Sequence, residues 1–419
     1  MKEFIVRSVR AAFTGGPVYK AWLAILLLLG IWGFTGWVDQ MRGGLILTNM
    51  RDQVSWAFYI GNFTFLVGVA AAAVIVVIPA YIYRWGPIKE VCILGEILAI
   101  SAIIMCFGFV SVDVGRPDRI WHLIPFVGRL NWPNSVMAWD VLVLNIYFLI
   151  NFVLVSYMLW CAYHKRHYNE KWVIPLIILS IPAAFSIHTV TAFIYAGYPG
   201  RPFWNAGILA PRFIASALCS GPAIMIILFQ ILQRTTKFDI KDEAIHKIAE
   251  LMAYTMCLNL FLLGAEVFKE FYSATEHVAH AEYLFLGLHG HNALVFYAWA
   301  SVAFSVVATV LFLVPATRRN FFTLNLGCLL IYLGVYIEKG MGLVMPGFTP
   351  TTMGEIYEYV PTLHEIRVGV MVFSLGFLVY TLLTKVAVEI LTGALTADSA
   401  KAGASPRIAP HEGAAPSGA

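Results

Sequence analysis

Residues 56–73 read Trp-Ala-Phe-Tyr-Ile-Gly-Asn-Phe-Thr-Phe-Leu-Val-Gly-Val-Ala-Ala-Ala-Ala, and no charged side chain occurs from Trp56 until Arg84. About 20 residues of α-helix cross the ~30 Å hydrocarbon layer of a bilayer, so this run is long enough to span a membrane. Gly61, Gly68 and the alanines at 70–73 would let a neighbouring helix approach closely. The stretch therefore predicts a transmembrane helix inside a helical bundle.

The whole chain has the composition of an integral membrane protein. Of its 419 residues, 60% are hydrophobic and 12% are charged, and the mean hydropathy is +0.76. A soluble domain has roughly a quarter charged residues, and a β-barrel would show short alternating segments. The sequence thus predicts an all-α fold. Ten apolar runs qualify as transmembrane helices, at approximately 20–38, 54–83, 89–111, 137–161, 172–196, 209–232, 246–273, 292–315, 321–338 and 366–391.

These runs divide the chain into three parts. Residues 1–19 mix apolar and basic side chains, which suits a segment lying on the cytoplasmic interface. Residues 20–395 form the ten-helix transmembrane domain, in which two four-helix bundles are expected at about 54–196 and 209–338. Residues 396–419 are rich in Ala, Gly, Ser and Pro, and we expect them to form a disordered cytoplasmic tail.

The distribution of basic residues predicts the orientation in the membrane. The positive-inside bias places both termini in the cytoplasm, so we expect a multi-pass protein of the cytoplasmic (inner) membrane. The basic loops serve as topology signals, and nothing resembles a patch for nucleic acid. The side that carries the N-terminus holds 18 of the 28 Lys and Arg residues: Lys2, Arg7, Arg10, Lys20, Arg84, Lys89, Lys165, Arg166, Lys171, Arg234, Lys237, Lys241, Lys247, Arg318, Arg319, Lys385, Lys401 and Arg407.

Cysteine and histidine spacing bears on cofactors. The six cysteines stand singly, without C-x-x-C, C-x-x-C-H or ferredoxin-type spacing, so we expect neither an iron–sulfur cluster nor a covalently attached haem in this chain. His188 is the one histidine clearly inside the hydrocarbon, and it has no convincing partner for a b-type haem. The loop after run 7 contains four histidines, His277, His280, His289 and His291. Their spacing alone does not establish a metal site, and we predict none there.

Ionisable and amide side chains within the apolar runs are candidates for function, because such groups usually face a bundle interior or an aqueous cavity. Glu96, in the cytoplasmic third of run 3, suits either a proton relay or a neutral acid bonded to a helix carbonyl. Asn62 could bind a ligand carbonyl or an adjacent helix. His188 could hydrogen-bond a quinone carbonyl, carry a proton or ligate haem. Glu266 lies near Lys269 and Glu270 on one helical face and could be charge-compensated there.

A charged segment, Asp113-Val-Gly-Arg-Pro-Asp-Arg119, ends run 3 at the outer interface. Its glycine and proline stop the helix. Arg116 and Arg119 could pair with the carboxylates of the segment or with Asp140, which follows Trp139 near the start of run 4. The nearby tryptophans fit an aromatic belt. The alternative to a functional site here is a well-anchored interfacial loop.

Most ionisable residues of the runs crowd toward the outer half of the membrane, which predicts a polar pocket opening to the outer interface. Quinone chemistry requires such a pocket, because it couples two electrons to two protons and needs acid/base groups near the ring oxygens. A secondary transporter also fits two bundles with intramembrane charge, but the clear Gly and Pro breaks lie mostly at the ends of the runs. A passive membrane anchor is a further alternative.

The ten runs, the Asp113-x-Gly-Arg-Pro-x-Arg119 segment and the Phe-Thr-Phe-Leu-Val-Gly-Val-Ala-Ala run at 63–71 resemble one family. They are similar to the NrfD/polysulfide-reductase (PsrC-like) membrane subunits, most closely to the DsrP-type subunit of the sulfite-reduction-associated DsrMKJOP complex. The resemblance covers about residues 20–395. It implies a quinone-interacting subunit of a respiratory electron-transfer complex of sulfur metabolism and sulfate reduction, acting as a quinone oxidoreductase only within that complex.

The resemblance also implies partners and a site. Menaquinone or menaquinol would exchange electrons with an iron–sulfur protein docked on the periplasmic side, where the outer loops at 112–136 and 339–365 suit a docking surface. The DsrP-like branch adds a multihaem cytochrome c and a membrane b-type cytochrome with a cytoplasmic iron–sulfur partner. Electron direction and proton coupling are left open. The site would lie in the first bundle, with Asp113 and Asp140 as proton exchangers, Glu96 beginning a path to the cytoplasm, Arg116 as electrostatic organiser, and His188, Asn62 and Trp139 beside the quinone.

Overall fold

A computed structural model describes residues 2–124, 127–275 and 278–397, so His277 and residues 398–419 of the predicted tail lie outside the described residues. Within these ranges the regular structure is helical, apart from a single bridge between Leu288 and His291. The helices are α1 Lys2–Ala12, α2 Pro17–Gly43, α3 Phe58–Ala70, α4 Val74–Val77, α5 Gly86–Asp113, α6 Val136–Tyr163, α7 Glu170–Ala196, α8 Leu209–Thr235, α9 Asp242–Ser273, α10 Val278–Phe285, α11 Val295–Leu313, α12 Pro315–Arg319, α13 Phe321–Lys339, α14 Met341–Phe348 and α15 Leu363–Leu391.

Ten helical spans are long and apolar enough to cross a membrane, which confirms the predicted all-α, multi-pass fold. Helices α3, α5, α6 and α7 form the first group of packed spans, and α8, α9, α11 and α13 form the second. We call these groups the first and second bundle. The peripheral helices α2 and α15 pack on each other, and α15 packs on α5, while α3 and α8 join the two bundles.

Small residues hold the two bundles together. A Cβ built on Gly221 of α8 would clash with the Cβ of Ala72, and one on Gly61 of α3 would meet the backbone of Gly340 at 3.3 Å. Backbones can approach this closely only where side chains are absent or minimal. The small residues noted in run 2 therefore pack that span against the second bundle.

Two spans are interrupted, and the expectation that helix breaks lie at span ends is wrong for them. The second span passes through a 3-10 turn at Ala71–Ala73 and a π-helical turn at Ile78–Ile82. Pro79 lacks an N–H and so favours a departure from α-helical bonding. In the ninth span, Gly340 leaves the α-helical region (φ −84°, ψ −113°) between α13 and α14. Composition alone does not reveal these breaks, because the flanking sequence remains apolar.

Helix α14 corrects the prediction that residues 339–365 form one external docking loop. Its residues from Leu343 to Phe348 are buried, and the indole N–H of Trp204 donates to the carbonyl of Leu343 at 2.9 Å. Trp204 also packs edge-on against Phe348, with ring centroids 4.9 Å apart. An apolar segment of this kind is stabilised by covering the outer ends of the bundles. Only the part after α14, notably 352–355, is exposed.

Candidate functional site

One face of α7 carries the polar groups of the first bundle. His188, Thr191 and Tyr195 follow one another at spacings of three and four residues, so they share a face that points inward, and all three are buried. The α6 carboxylate of Asp140 and the α3 hydroxyl of Thr64 meet this face from opposite helices. The five side chains form what we call the α7 polar stripe.

Asp140 is buried and contacts Thr191 directly. Thr191 Oγ1 lies 2.7 Å from Asp140 Oδ1 and also 2.7 Å from the carbonyl oxygen of Ile187. A hydroxyl has one proton to donate. When Asp140 is protonated, its carboxyl group can donate to the Thr191 hydroxyl while that hydroxyl donates to the Ile187 carbonyl. When Asp140 is ionised, its carboxylate and the Ile187 carbonyl compete to accept the single hydroxyl proton of Thr191. The arrangement therefore accommodates Asp140 in either protonation state, as a proton exchanger requires.

His188 is 2% exposed, and neither of its ring nitrogens has a hydrogen-bond partner within the described part of the chain. The carbonyl of Ala184 lies near the ring but does not meet hydrogen-bond geometry. Neutral imidazole offers one donor and one acceptor, and buried polar groups without partners are uncommon in native structures. His188 is thus free to bind a polar group of a ligand.

A pocket of about 210 Å³ adjoins the His188 ring. Its wall includes the hydroxyl residues Thr64, Ser216 and Ser220 and the basic residue Lys339, which comes from the second bundle. At the outer end of the stripe, the Tyr195 hydroxyl lies 2.5 Å from Thr64 Oγ1, and Tyr195 packs edge-on against Trp204. The pocket wall therefore combines polar side chains with apolar ones such as Phe65 and Phe213, and it includes the unpartnered imidazole of His188.

Asp113 and Glu96 lie on the same helix but far apart. Asp113 ends α5, Glu96 lies near its inner end, and at 1.5 Å per residue they are about 25 Å apart. Asp113 Oδ1 and Glu96 Oε2 are buried and have no hydrogen-bond partner among the described residues. Tyr195 is within electrostatic range of both Asp113 and Asp140. The structure thus brings Asp113 toward the stripe and leaves Glu96 farther along α5, away from Asp113.

Arg116, in the loop after α5, and Trp139, in the first turn of α6, both lie at the surface. Arg116 Nη2 lies 2.9 Å from Asp118 Oδ2, and both side chains are mostly exposed, so Arg116 pairs with its own segment and not with Asp113 or Asp140. The hydrogen bond from Arg116 holds the pKa of Asp118 below its ordinary value. Trp139 is exposed, and its indole N–H donates to the carbonyl of Pro133 at 2.9 Å.

The amide of Asn62 contacts two helices. Its Nδ2 donates to the carbonyl of Phe58 at 2.7 Å, and its Oδ1 accepts from the hydroxyl of Tyr336 at 3.0 Å. Tyr336 belongs to α13, so this contact joins the two bundles. Of the two alternatives for Asn62, a bond to an adjacent helix is the one that the geometry shows.

The second bundle contains a buried ionic cluster that the sequence did not predict. Arg212 of α8 pairs with Glu266 of α9 and, at 2.5 Å, with Glu338 of α13, whose Oε1 also lies 3.1 Å from Lys339 Nζ. Lys269, which the helical spacing suggested as the partner of Glu266, pairs with Glu270 instead. Arg212 stands one turn inside its span, and only that intramembrane position could have identified it.

A larger pocket of about 580 Å³ lies beside this cluster. Its wall includes Arg212, Glu266 and Glu338 together with apolar residues of α9, α10 and α11. The second bundle therefore contains the more spacious cavity, whereas the first contains the unpaired histidine.

Comparison with known proteins identifies the family of this chain. Residues 46–349 match the family described as polysulphide reductase, NrfD. The chain belongs to the NrfD family. Similar proteins include a putative dimethyl sulfoxide reductase membrane subunit of Halobacterium salinarum, 26% identical over 89% of this chain and 92% of the relative. A selenate reductase subunit of Mesobacillus selenatarsenatis is 20% identical over 87% of this chain and 92% of the relative.

A third relative of this NrfD-family chain is the Hdr-like menaquinol oxidoreductase integral membrane subunit of Archaeoglobus fulgidus, 22% identical over 88% of this chain and 95% of the relative. The family match covers both bundles, from before α3 to the end of α14. The α7 polar stripe and the ionic cluster of the second bundle both lie within the matched region of this NrfD-family protein.

Proposed function

We propose that this chain is the quinone-interacting membrane subunit of a respiratory electron-transfer complex, exchanging electrons between menaquinone or menaquinol and an iron–sulfur protein on the periplasmic side. The observation that carries the proposal is His188, a buried imidazole without a hydrogen-bond partner in the described chain, on the wall of a polar pocket. The NrfD family match supports it, as does similarity to a subunit named for menaquinol oxidation.

Quinol oxidation releases two electrons and two protons, and the α7 polar stripe offers groups for the protons. His188 can donate to a ring carbonyl or accept a proton from a ring hydroxyl through its two nitrogens. Asp140 can take or release a proton through its contact with Thr191. The Thr64 side chain on the pocket wall would help to orient the ring.

The electrons must pass to redox groups on other subunits, because the single cysteines offer no cluster spacing. We propose the DsrP-type arrangement, in which the partners are the periplasmic iron–sulfur protein, a multihaem cytochrome c and a membrane b-type cytochrome with its cytoplasmic iron–sulfur partner. Both termini then face the cytoplasm. Glu96, on the cytoplasmic side of the stripe, would begin a route for coupled proton movement.

The experiment is a comparison of two histidine variants in the assembled complex. His188→Leu should lower quinol-linked turnover by about 100-fold, the scale of a lost acid/base group. The complex should assemble and keep its thermal midpoint, because the His188 ring makes no hydrogen bond that could be lost. His246→Leu, in the second bundle, should leave turnover unchanged. A His188→Leu complex with wild-type turnover contradicts the proposed site.

A secondary transporter is the second candidate, and the helix breaks at Ala71–Ala73 and Gly340 favour it, because transporter sites form where helices are interrupted. Isolation separates the two functions. Co-purification with an iron–sulfur protein and cytochromes supports electron transfer. Substrate-dependent flux through the isolated subunit in vesicles would support transport and overturn the first proposal.

A further inference from the structure

The pocket of the second bundle has the form of an amphipathic ligand site. Most of its wall is apolar, including Leu263, Leu284 and Ala298. Charged side chains at one end, Arg212 and Glu338 among them, are the exception. Ligand pockets commonly combine apolar walls with a few polar groups that fix the orientation of the ligand.

The charged end contains one unused donor and one unused acceptor. Arg212 is 5% exposed, yet its Nε has no hydrogen-bond partner in the described ranges, and neither does Glu338 Oε2. The two side chains already touch through Arg212 Nη2 and Glu338 Oε1. A ligand hydroxyl beside this contact could accept from the guanidinium and donate to the carboxylate, because a hydroxyl does both.

The charge balance excludes most ionic ligands. Arg212 is paired with Glu266 and Glu338, and Lys339 with Glu338. A phosphate or an ammonium group would have to displace one partner of a buried ion pair, which is strongly unfavourable. A neutral hydroxyl needs only the two unused positions. The pocket thus favours an uncharged molecule with a hydroxyl group and an apolar body.

We propose that this pocket binds a second quinol-type molecule, separate from the one beside His188. The choice of a quinol rests on the proposed function, whereas the existence of a second site rests on the pocket alone. Each bundle would then contain one quinol site. Lys339 lies between them, since it borders the His188 pocket and pairs with Glu338 of the cluster.

The test counts binding sites in the intact complex with the fluorescent quinol analogue 2-heptyl-4-hydroxyquinoline N-oxide. Ala298→Phe fills the pocket from α11 and should remove one bound analogue per complex relative to the wild type. Ala303→Phe introduces the same ring on the exposed side of α11 and should remove none. His188→Leu should remove a different one. Sites on partner subunits contribute equally to every variant, so only differences count.

The outcomes separate the two proposals. If Ala298→Phe binds as many analogues as the wild type while its thermal midpoint matches that of Ala303→Phe, the second site is overturned. If Ala298→Phe removes one bound analogue and His188→Leu removes none, the site of the proposed function fails and the second site stands. If mass spectrometry shows that Ala298→Phe loses a phospholipid and no analogue, the assignment to a quinol is overturned.

Discussion

The two bundles bury ionisable groups in opposite ways. In the first bundle, Glu96, Asp140 and His188 lie deep in the protein, and no oppositely charged side chain pairs with any of them in the described structure. In the second, the Arg212 and Glu338 side chains are nearly as buried, at 7% and 9% exposed, but they form a network of ion pairs. Two bundles of four helices thus provide different electrostatic environments.

The difference indicates which bundle can exchange protons. An uncompensated buried acid or imidazole is neutral at little cost, so a ligand or a proton can change its state. A group held in a buried ion pair resists such change, because removing one charge leaves its partner exposed to the low-dielectric interior. We therefore expect changes in the first bundle to alter turnover and changes in the second to alter stability.

Removing the central cation of the second bundle should have the largest effect. Arg212→Leu leaves Glu266 and Glu338 buried with one cation fewer, and such a loss costs about 3–5 kcal/mol. The measurement is the denaturant-induced unfolding of the detergent-solubilised subunit, or the thermal midpoint of the complex.

The double variant Arg212→Met, Glu266→Gln is the control. It should recover most of the lost stability, because Lys339 and Glu338 remain as an ion pair and no charge of the cluster is left without a partner. If Arg212→Leu proves as stable as the wild type, the second bundle does not depend on its ion pairs, and the contrast between the bundles fails.

The next largest effect should appear in the first bundle as a loss of turnover. Asp140→Asn retains an oxygen that can accept from Thr191 but removes the exchangeable proton, so quinol-linked turnover should fall by about 100-fold. The complex should remain assembled. Asp39→Asn, a carboxylate of α2 outside the first bundle, is the matched control and should be neutral. Unchanged turnover in Asp140→Asn would remove Asp140 from the site.

The sequence predicted the fold in detail because membrane spans obey local rules. Ten apolar runs of sufficient length correspond to the ten helical spans of the structure. Buried polar residues within the runs were also recognisable, since Glu96, Asp140 and His188 stand out against apolar neighbours. For such residues, burial follows from the hydrocarbon environment and needs no knowledge of the tertiary contacts.

The pairings were not predictable, because they depend on helices far apart in the sequence. Arg212 and Glu338 are 126 residues apart yet form an ion pair, and local spacing suggested Lys269 as the partner for Glu266. Arg116 had several carboxylates within sequence reach, and only its loop geometry selects Asp118. Likewise, the apolar segment of α14 could have faced lipid, a partner or the protein interior.

A matched pair of glutamates tests the same contrast with smaller effects. Glu338→Gln removes the negative charge shared by Arg212 and Lys339 but keeps an amide oxygen that can accept from them. It should therefore cost about 2 kcal/mol, the scale of hydrogen bonds to charged groups and less than Arg212→Leu. Glu96→Gln breaks no ion pair of the described chain and should cost less than about 1 kcal/mol. The measurement is the unfolding midpoint of each variant under one condition. Equal losses would show that burial alone, and not pairing, determines the cost.

The smallest effect is expected at the outer loop. Arg116 and Asp118 are mostly exposed, and exposed ion pairs contribute little, so Arg116→Ala should leave the thermal midpoint and turnover of the complex unchanged at neutral pH. Since Arg116 lowers the pKa of Asp118, any contribution of the pair is present above the ordinary aspartate pKa of about 3.9 and disappears as the pH falls through the lowered value. If Arg116→Ala instead shows a clear loss of turnover with an unchanged midpoint, the loop that carries Arg116 acts on the α7 polar stripe. Proton chemistry would then involve this loop as well as the first bundle.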